Sequence, residues 1–348
     1  MAEIRASYYI GEGGFPAFVD ALIAEQRTIG PVAKREKFDY APLESAEDLR
    51  LDFDVTILPP KQAIFPPVQP LLQFDGEEVS SCINPNPTIL FGVHFYDVKG
   101  IDMLDNFMAE PKLDGDYMAQ RDATTIVASN IQSVSPWAFW SSVGTHIQPE
   151  GMDAFLTKID GGYVYDVYTD KGQYLVAFGD FREATDSEIA AAKAANDSVA
   201  KSCLRDLNDD SESIRRTFDE EFDDISTWKM LADGCFSCGS CNLVCPTCFC
   251  FNVEDHWNLD QVSGDRTRYW DSCMACDFAS TTLAGGGAEN FRGERFERFR
   301  HRFMRKTTYL YDRIGGPACT GCGRCGSACT AQIADPVKVI NTVMEVAE

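Results

Sequence analysis

No uninterrupted apolar run in this chain reaches the ~18 residues that a membrane-crossing helix requires, so membrane insertion is not expected. Cations are scarce: 31 Lys and Arg stand against 54 Asp and Glu, a formal charge of -23. Nucleic acid is a poor partner for such a chain, because phosphate binding needs clustered cations. Histidine is rarer still. His94, His146, His256 and His301 are scattered, with no HExxH pair, and core or surface roles suit each better than metal ligation. A nucleophile elbow, a Walker loop and a complete dinucleotide fingerprint are also missing. "GEGG" (11–14) reads as a plain turn before a helix. No site for flavin, nucleotide or organic substrate is therefore expected. The opening "MAEIRASYYIGEGG" has no basic n-region followed by an apolar h-region, so no secretion leader is expected and the cytoplasm is the expected location.

Cysteine is nearly absent from the first two thirds. Only Cys82 and Cys203 precede residue 235, and the other twelve of the fourteen lie from Cys235 onward. In a reducing compartment such crowding points to metal or redox use rather than disulfides. The 348 residues suffice for two domains, each able to bury a core. We expect an α+β protein: a mixed α/β scaffold or docking domain over 1–185, a helical acidic connection over 186–230, and a helical dicluster domain over 231–348. "FPAFVDALIAEQ" has helical spacing, while "TTIVAS", "GGYVYDVYT" and "QYLVAFGDF" read as strands. "DVTILPPKQAIFPPVQPLL" (54–72) holds five prolines and reads as extended or turning chain, not a central strand. "DSEIAAAKAANDSVAKSCLRDL" has an Asp cap candidate and strong helix formers, and the acidic run after it reads as a solvated helical face. Residues 291–313 reverse the charge, with eight Arg or Lys against three acids. Their aromatics at 291, 296, 299 and 303 predict a helix that buries the rings and leaves the arginines free for a carboxylate-rich surface.

The cysteine spacing carries the chemistry. Cys235-x2-Cys238-x2-Cys241-x3-Cys245-Pro246 is one half of a bacterial two-cluster ferredoxin pattern, and Cys319-x2-Cys322-x2-Cys325-x3-Cys329 is the other. Three thiolates on a tight loop face one cubane, and the fourth cysteine ligates the other cluster. The spacing thus predicts one [4Fe–4S] centre on Cys235, Cys238, Cys241 and Cys329, and a second on Cys319, Cys322, Cys325 and Cys245. Zinc also suits CxxC pairs, but two complete triple-CxxC copies favour iron. Cys248, Cys250, Cys273 and Cys276 remain. They either form a possible third centre or pack as small hydrophobes around the clusters.

"CPTCFCF", "WDSCM", "LAGGGAENFRGERFERFRHRF" and "CTGCGRC" resemble the iron–sulfur subunit family of anaerobic sulfite reductase and of the sulfhydrogenase (NiFe hydrogenase) beta chain. "LPPKQAIFPP" and "GVHFYDVKGIDMLDNFM" extend the resemblance into the first domain. It implies an electron-transfer subunit between a flavoprotein that takes electrons from a nicotinamide cofactor and a catalytic subunit. The terminal enzyme would be a hydrogenase, a sulfite reductase or a heterodisulfide-reductase-type complex. Two further readings stand beside it: the extra cysteine quartet as a substrate-reducing cluster, and a structural adaptor whose clusters only stabilise the fold. Family members often carry cysteines where Tyr96, Ile131, Ala138 and Trp140 stand here. None of these four can ligate, so the resemblance implies a centre lost as a set and a first domain that serves as a docking scaffold.

Overall fold

The computed structural model describes residues 3–199 and 201–347. Its first layer is a mixed eight-stranded sheet built from β1 (Ala6–Gly11), β2 (Arg27–Lys34) and β3 (Lys37–Pro42), and from five later strands. The next two strands, β4 (Val68–Asp75) and β5 (Glu78–Ser81), belong to another sheet. The main sheet resumes with β6 (Thr88–His94), β7 (Thr124–Ser129), β8 (Ala154–Ile159), β9 (Gly162–Val167) and β10 (Arg182–Glu183). Its order is β10-β1-β9-β8-β7-β6-β2-β3, with β2, β6, β7 and β8 parallel at the centre and antiparallel strands on both flanks.

Strand β6 is buried at every position, as a parallel strand covered on both faces should be. Ile89 and Phe91 pack with the helix Phe15–Glu25 on one face, while Leu90 packs with Phe95–Ala109 on the other. The alternation breaks at Gly92, where φ is +72° and the register to β7 shifts. A Cβ there would lie 2.8 Å from Leu51, so the bulge needs glycine.

Two elements differ from the sequence reading. "QYLVAFGDF" is not a strand: Asp170–Leu175 is a helix, continued by a 3-10 turn at Val176–Phe178. The Thr169 hydroxyl caps it by accepting from Gly172 N. Gly172 sits so close to Asp153 O that a Cβ would lie 2.2 Å from it. Capping and close packing override the β-rich composition. The proline-rich segment ends inside a sheet rather than outside one. β4 lies between β5 and β12 (Ser263–Trp270), and β11 (Phe251–Trp257) completes the order β11-β12-β4-β5. Pro70 is tolerated there because the register slips beside it: Arg266 faces Leu72 and Thr267 faces Pro70, which leaves Leu71 over.

This second sheet joins β4 and β5 to strands from beyond residue 250, across the span expected to separate two domains. The connecting segment divides as well. Helix Asp186–Val199 packs on β8 and β9, whereas Ser211–Glu220 packs on the helices Arg295–Thr307 and Pro336–Ala347. The acids of the run serve locally, since Asp210 and Asp224 cap Ser211–Glu220 and Ile225–Ala232. The helices of this end enclose a core of Phe218, Trp228, Phe299, Phe303 and Val343 together with Cys241 and Cys325.

Candidate iron–sulfur site

Both cysteine motifs fold alike. In each, a glycine after the second cysteine takes the left-handed conformation, Gly239 at φ +76° and Gly323 at φ +76°, and opens a short helix carrying the third cysteine. The residue before the second cysteine is left-handed too, Ser237 at φ +54° and Gly321 at φ +70°. These reversals turn three thiols towards one volume within seven residues. The short helices Ser240–Leu243 and Arg324–Ala328 pack on each other, placing the motifs back to back.

A cavity lined by Phe236, Met274 and Phe299 has four cysteines in its wall: Cys235, Cys238, Cys241 and Cys329. The fourth comes from the opposite motif. On the other side the buried Cys245 acts electrostatically on Cys319, Cys322 and Cys325. Burial pushes Cys241 up to about 11 and Cys322 up to about 12, the ordinary response of a desolvated thiol. Among the described residues, no three Cys, His, Asp or Glu side chains close tightly enough to hold a single metal ion.

The leftover cysteines separate. Cys250 neighbours Cys273 and, with the hydrogen bond from Asn242, holds the Cys273 thiol below its usual range against burial. Asn242 Nδ2 donates to Cys273 Sγ at 2.9 Å. Cys248 neighbours Cys245 and is the largest influence lowering the Cys245 thiol. Cys276 is exposed and shares no hydrogen bond with the other three; its carbonyl accepts from Asn290 Nδ2 at 2.6 Å. The structure thus links Cys248 to the Cys250–Cys273 pair through Arg302 and Asn242, keeps Cys248 beside Cys245, and leaves Cys276 at the surface.

The cations around these thiols were not expected from the sequence. Arg298, Arg302 and Lys306 of helix Arg295–Thr307 are buried, not free for a surface. Spaced by four, they form one stripe on the inner face of the helix. Arg302 Nη1 donates to Asn242 Oδ1 at 2.8 Å and lies 3.9 Å from Cys248 Sγ. Lys306 Nζ donates to Thr247 Oγ1 at 2.6 Å. Lys61, from the proline-rich segment, reaches in from the first half, donates to Cys248 O and lies 4.5 Å over the Trp270 ring. The regular spacing of the stripe was the available signal; the surplus of arginines hid it. Arg300, Arg305 and Arg313 stack over Phe222, Phe249 and Phe107.

The first half presses on the second motif elsewhere too. Arg324 Nη1 and Nη2 donate to the two Asp97 carboxylate oxygens at 2.5 and 2.7 Å, both side chains fully buried, and Nε donates to Thr56 O. A Cβ on Gly321 would lie 2.4 Å from Trp140 Cα, and one on Gly323 would lie 2.3 Å from Trp137 O. Tyr96, Ile131, Ala138 and Trp140, named from the sequence as missing thiolates, pack in one cluster with Phe95 and Cys322. The Tyr96 and Trp140 rings stack at 5.8 Å. Of the histidines, His94 is buried and stacked on Phe53 at 3.8 Å, and His301 is half-buried beside Tyr309.

Residues 234–333 match the 4Fe-4S dicluster domain family. Over 333 residues the chain is 33% identical to sulfhydrogenase 2 subunit beta of Pyrococcus furiosus, covering 95% of this chain and 96% of that protein. No solved structure matches the chain. Thiol-only donor sets, tight glycine turns and a cysteine-walled cavity fit iron–sulfur cofactors, and the chain carries two [4Fe–4S] clusters. None of its helices in the described residues is long and apolar enough to cross a membrane. It belongs to the iron–sulfur subunit family that includes the sulfhydrogenase beta subunit.

Proposed function

We propose that this chain is the electron-transfer subunit of a cytoplasmic multi-subunit oxidoreductase, relaying electrons between flavin- or NAD(P)-type and catalytic subunits. The carrying observation is the grouping of Cys235, Cys238, Cys241 with Cys329, and of Cys319, Cys322, Cys325 with Cys245, back to back in one core. When bound, the clusters supply one-electron transfer. The protein's own part is to hold the thiolates, exclude water and set the surrounding charge. The relative's name, a sulfhydrogenase subunit, favours a hydrogenase-type complex. Iron and sulfide analysis, with EPR of the reduced chain, tests the relay. Absence of a reducible cluster defeats it, and purification of the native assembly with its subunits identified by mass tests the partners.

A second reading concerns the grouping of Cys248, Cys250 and Cys273, which favours a third iron–sulfur centre. That centre would be a further relay point or, if it kept an open coordination position, a substrate-reducing cluster. Turnover by the isolated subunit with an artificial reductant supports reduction at this chain. Activity confined to the assembled complex supports the relay.

A further inference from the structure

Lys61 and Lys306 are 3% and 9% exposed. Among the described residues, the lysines that pair with carboxylates are Lys34 and Lys158, so neither buried ammonium has a carboxylate partner. Burying an unpaired charge is costly even after the surroundings relax, and some anion must offset it. The groups at hand are the thiols. Lys61 donates to Cys248 O, and Lys306 donates to Thr247 Oγ1, which lies 3.3 Å from Cys245 Sγ. Burial lowers both ammonium groups. It is opposed at Lys61 by Cys248, Cys245 and Cys250, and outweighed at Lys306 by Cys245, Cys248 and Cys319. The cysteines that act most strongly on the two lysines are thus Cys245, Cys248, Cys250 and Cys319, none of which lies in the wall of the cavity formed by Cys235, Cys238, Cys241 and Cys329. Arg302 differs, because it faces Cys241 as well as Cys245 and Cys325 and cannot distinguish the two sides.

We propose that Lys61 and Lys306 set a potential difference across the two clusters, making the centre bound through Cys245 the electron sink of the pair. The proposal rests on the electron-transfer reading above. A fixed positive charge favours whichever redox state is more negative, so it stabilises the reduced form and raises the potential. Burial strengthens the effect by removing screening water. Because Lys61 belongs to the proline-rich segment of the first half, that half sets the electronics of the second rather than serving only as a dock.

An EPR-monitored redox titration of the full chain tests this, with the Cys245-centre signal identified as the one altered in Cys319→Ser. In Lys61→Met and in Lys306→Met that signal moves to more negative potential, while the other stays in place. Lys61→Arg remains near the wild type. Unchanged potentials in both Met variants overturn the proposal. Equal movement of both signals, or loss of the clusters in both variants, also overturns it, because the lysines would then act globally or only structurally. A wild-type chain with no reducible signal instead defeats the electron-transfer reading itself.

Discussion

Cys245 sits next to Pro246 in the first motif, yet its charge acts on all three thiols of the second. Cys245→Ser should therefore damage the cluster on Cys319, Cys322 and Cys325 and spare the one on Cys235, Cys238 and Cys241. Loss of the Cys235-side EPR signal instead would show that the ligation is not crossed. The leftover cysteines make a second contrast. With Cys273 buried beside Cys250 and Asn242 and Cys276 at the surface, Cys273→Ser should lower bound iron by one cluster while Cys276→Ser leaves it unchanged. Wild-type iron should then exceed the eight atoms that two cubanes need. Eight iron atoms in a fully loaded preparation, with neither variant losing any, would mean that these cysteines only pack.

The helix Arg295–Thr307 shows what periodicity can and cannot say. Its existence and its buried Phe299 and Phe303 were legible from the spacing of aromatics. Which cations turned inward was not, because burying an arginine is unfavourable until an anion elsewhere in the chain meets it. For Arg302 the nearest thiol is Cys248, 54 residues back along the chain. The matching turns of the two cysteine motifs were legible because local loop geometry, with its left-handed glycines, dictates them. The insertion of Val68–Asp75 between later strands was not, since it depends on pairing with residues almost two hundred positions on. The Arg324–Asp97 pair belongs to the same hidden class: a motif arginine held by a helix from the first half. Asp97→Asn leaves Arg324 buried without its counter-charge and should cost about 3–5 kcal/mol in chemical denaturation of the loaded protein. Adding Arg324→Met should recover part of the loss. A single variant within experimental error of the wild type would show that Cys322 and its neighbours already offset the guanidinium.

At the scale of the whole molecule, a protein of net charge -23 gathers Lys61, Arg302 and Lys306 inside itself, and among the described residues no carboxylate pairs with any of them. Cluster-bound thiolates are the charges that balance this interior, so loading with iron and folding of the cysteine end are coupled. The main sheet is built differently, around apolar clusters that contain no cysteine. Removing iron should therefore loosen the molecule unevenly. Amide exchange should accelerate along Arg295–Thr307 and around the two motifs, while Thr88–His94 and Thr124–Ser129 stay protected. Lost cross-links alone would give the same pattern, so the electrostatic share needs its own measurement. In Lys306→Met one uncompensated cation is gone, and the difference in unfolding temperature between loaded and iron-free protein should shrink relative to the wild type. An undiminished difference would assign the coupling to the iron–thiolate cross-links and leave the buried lysine no part in it.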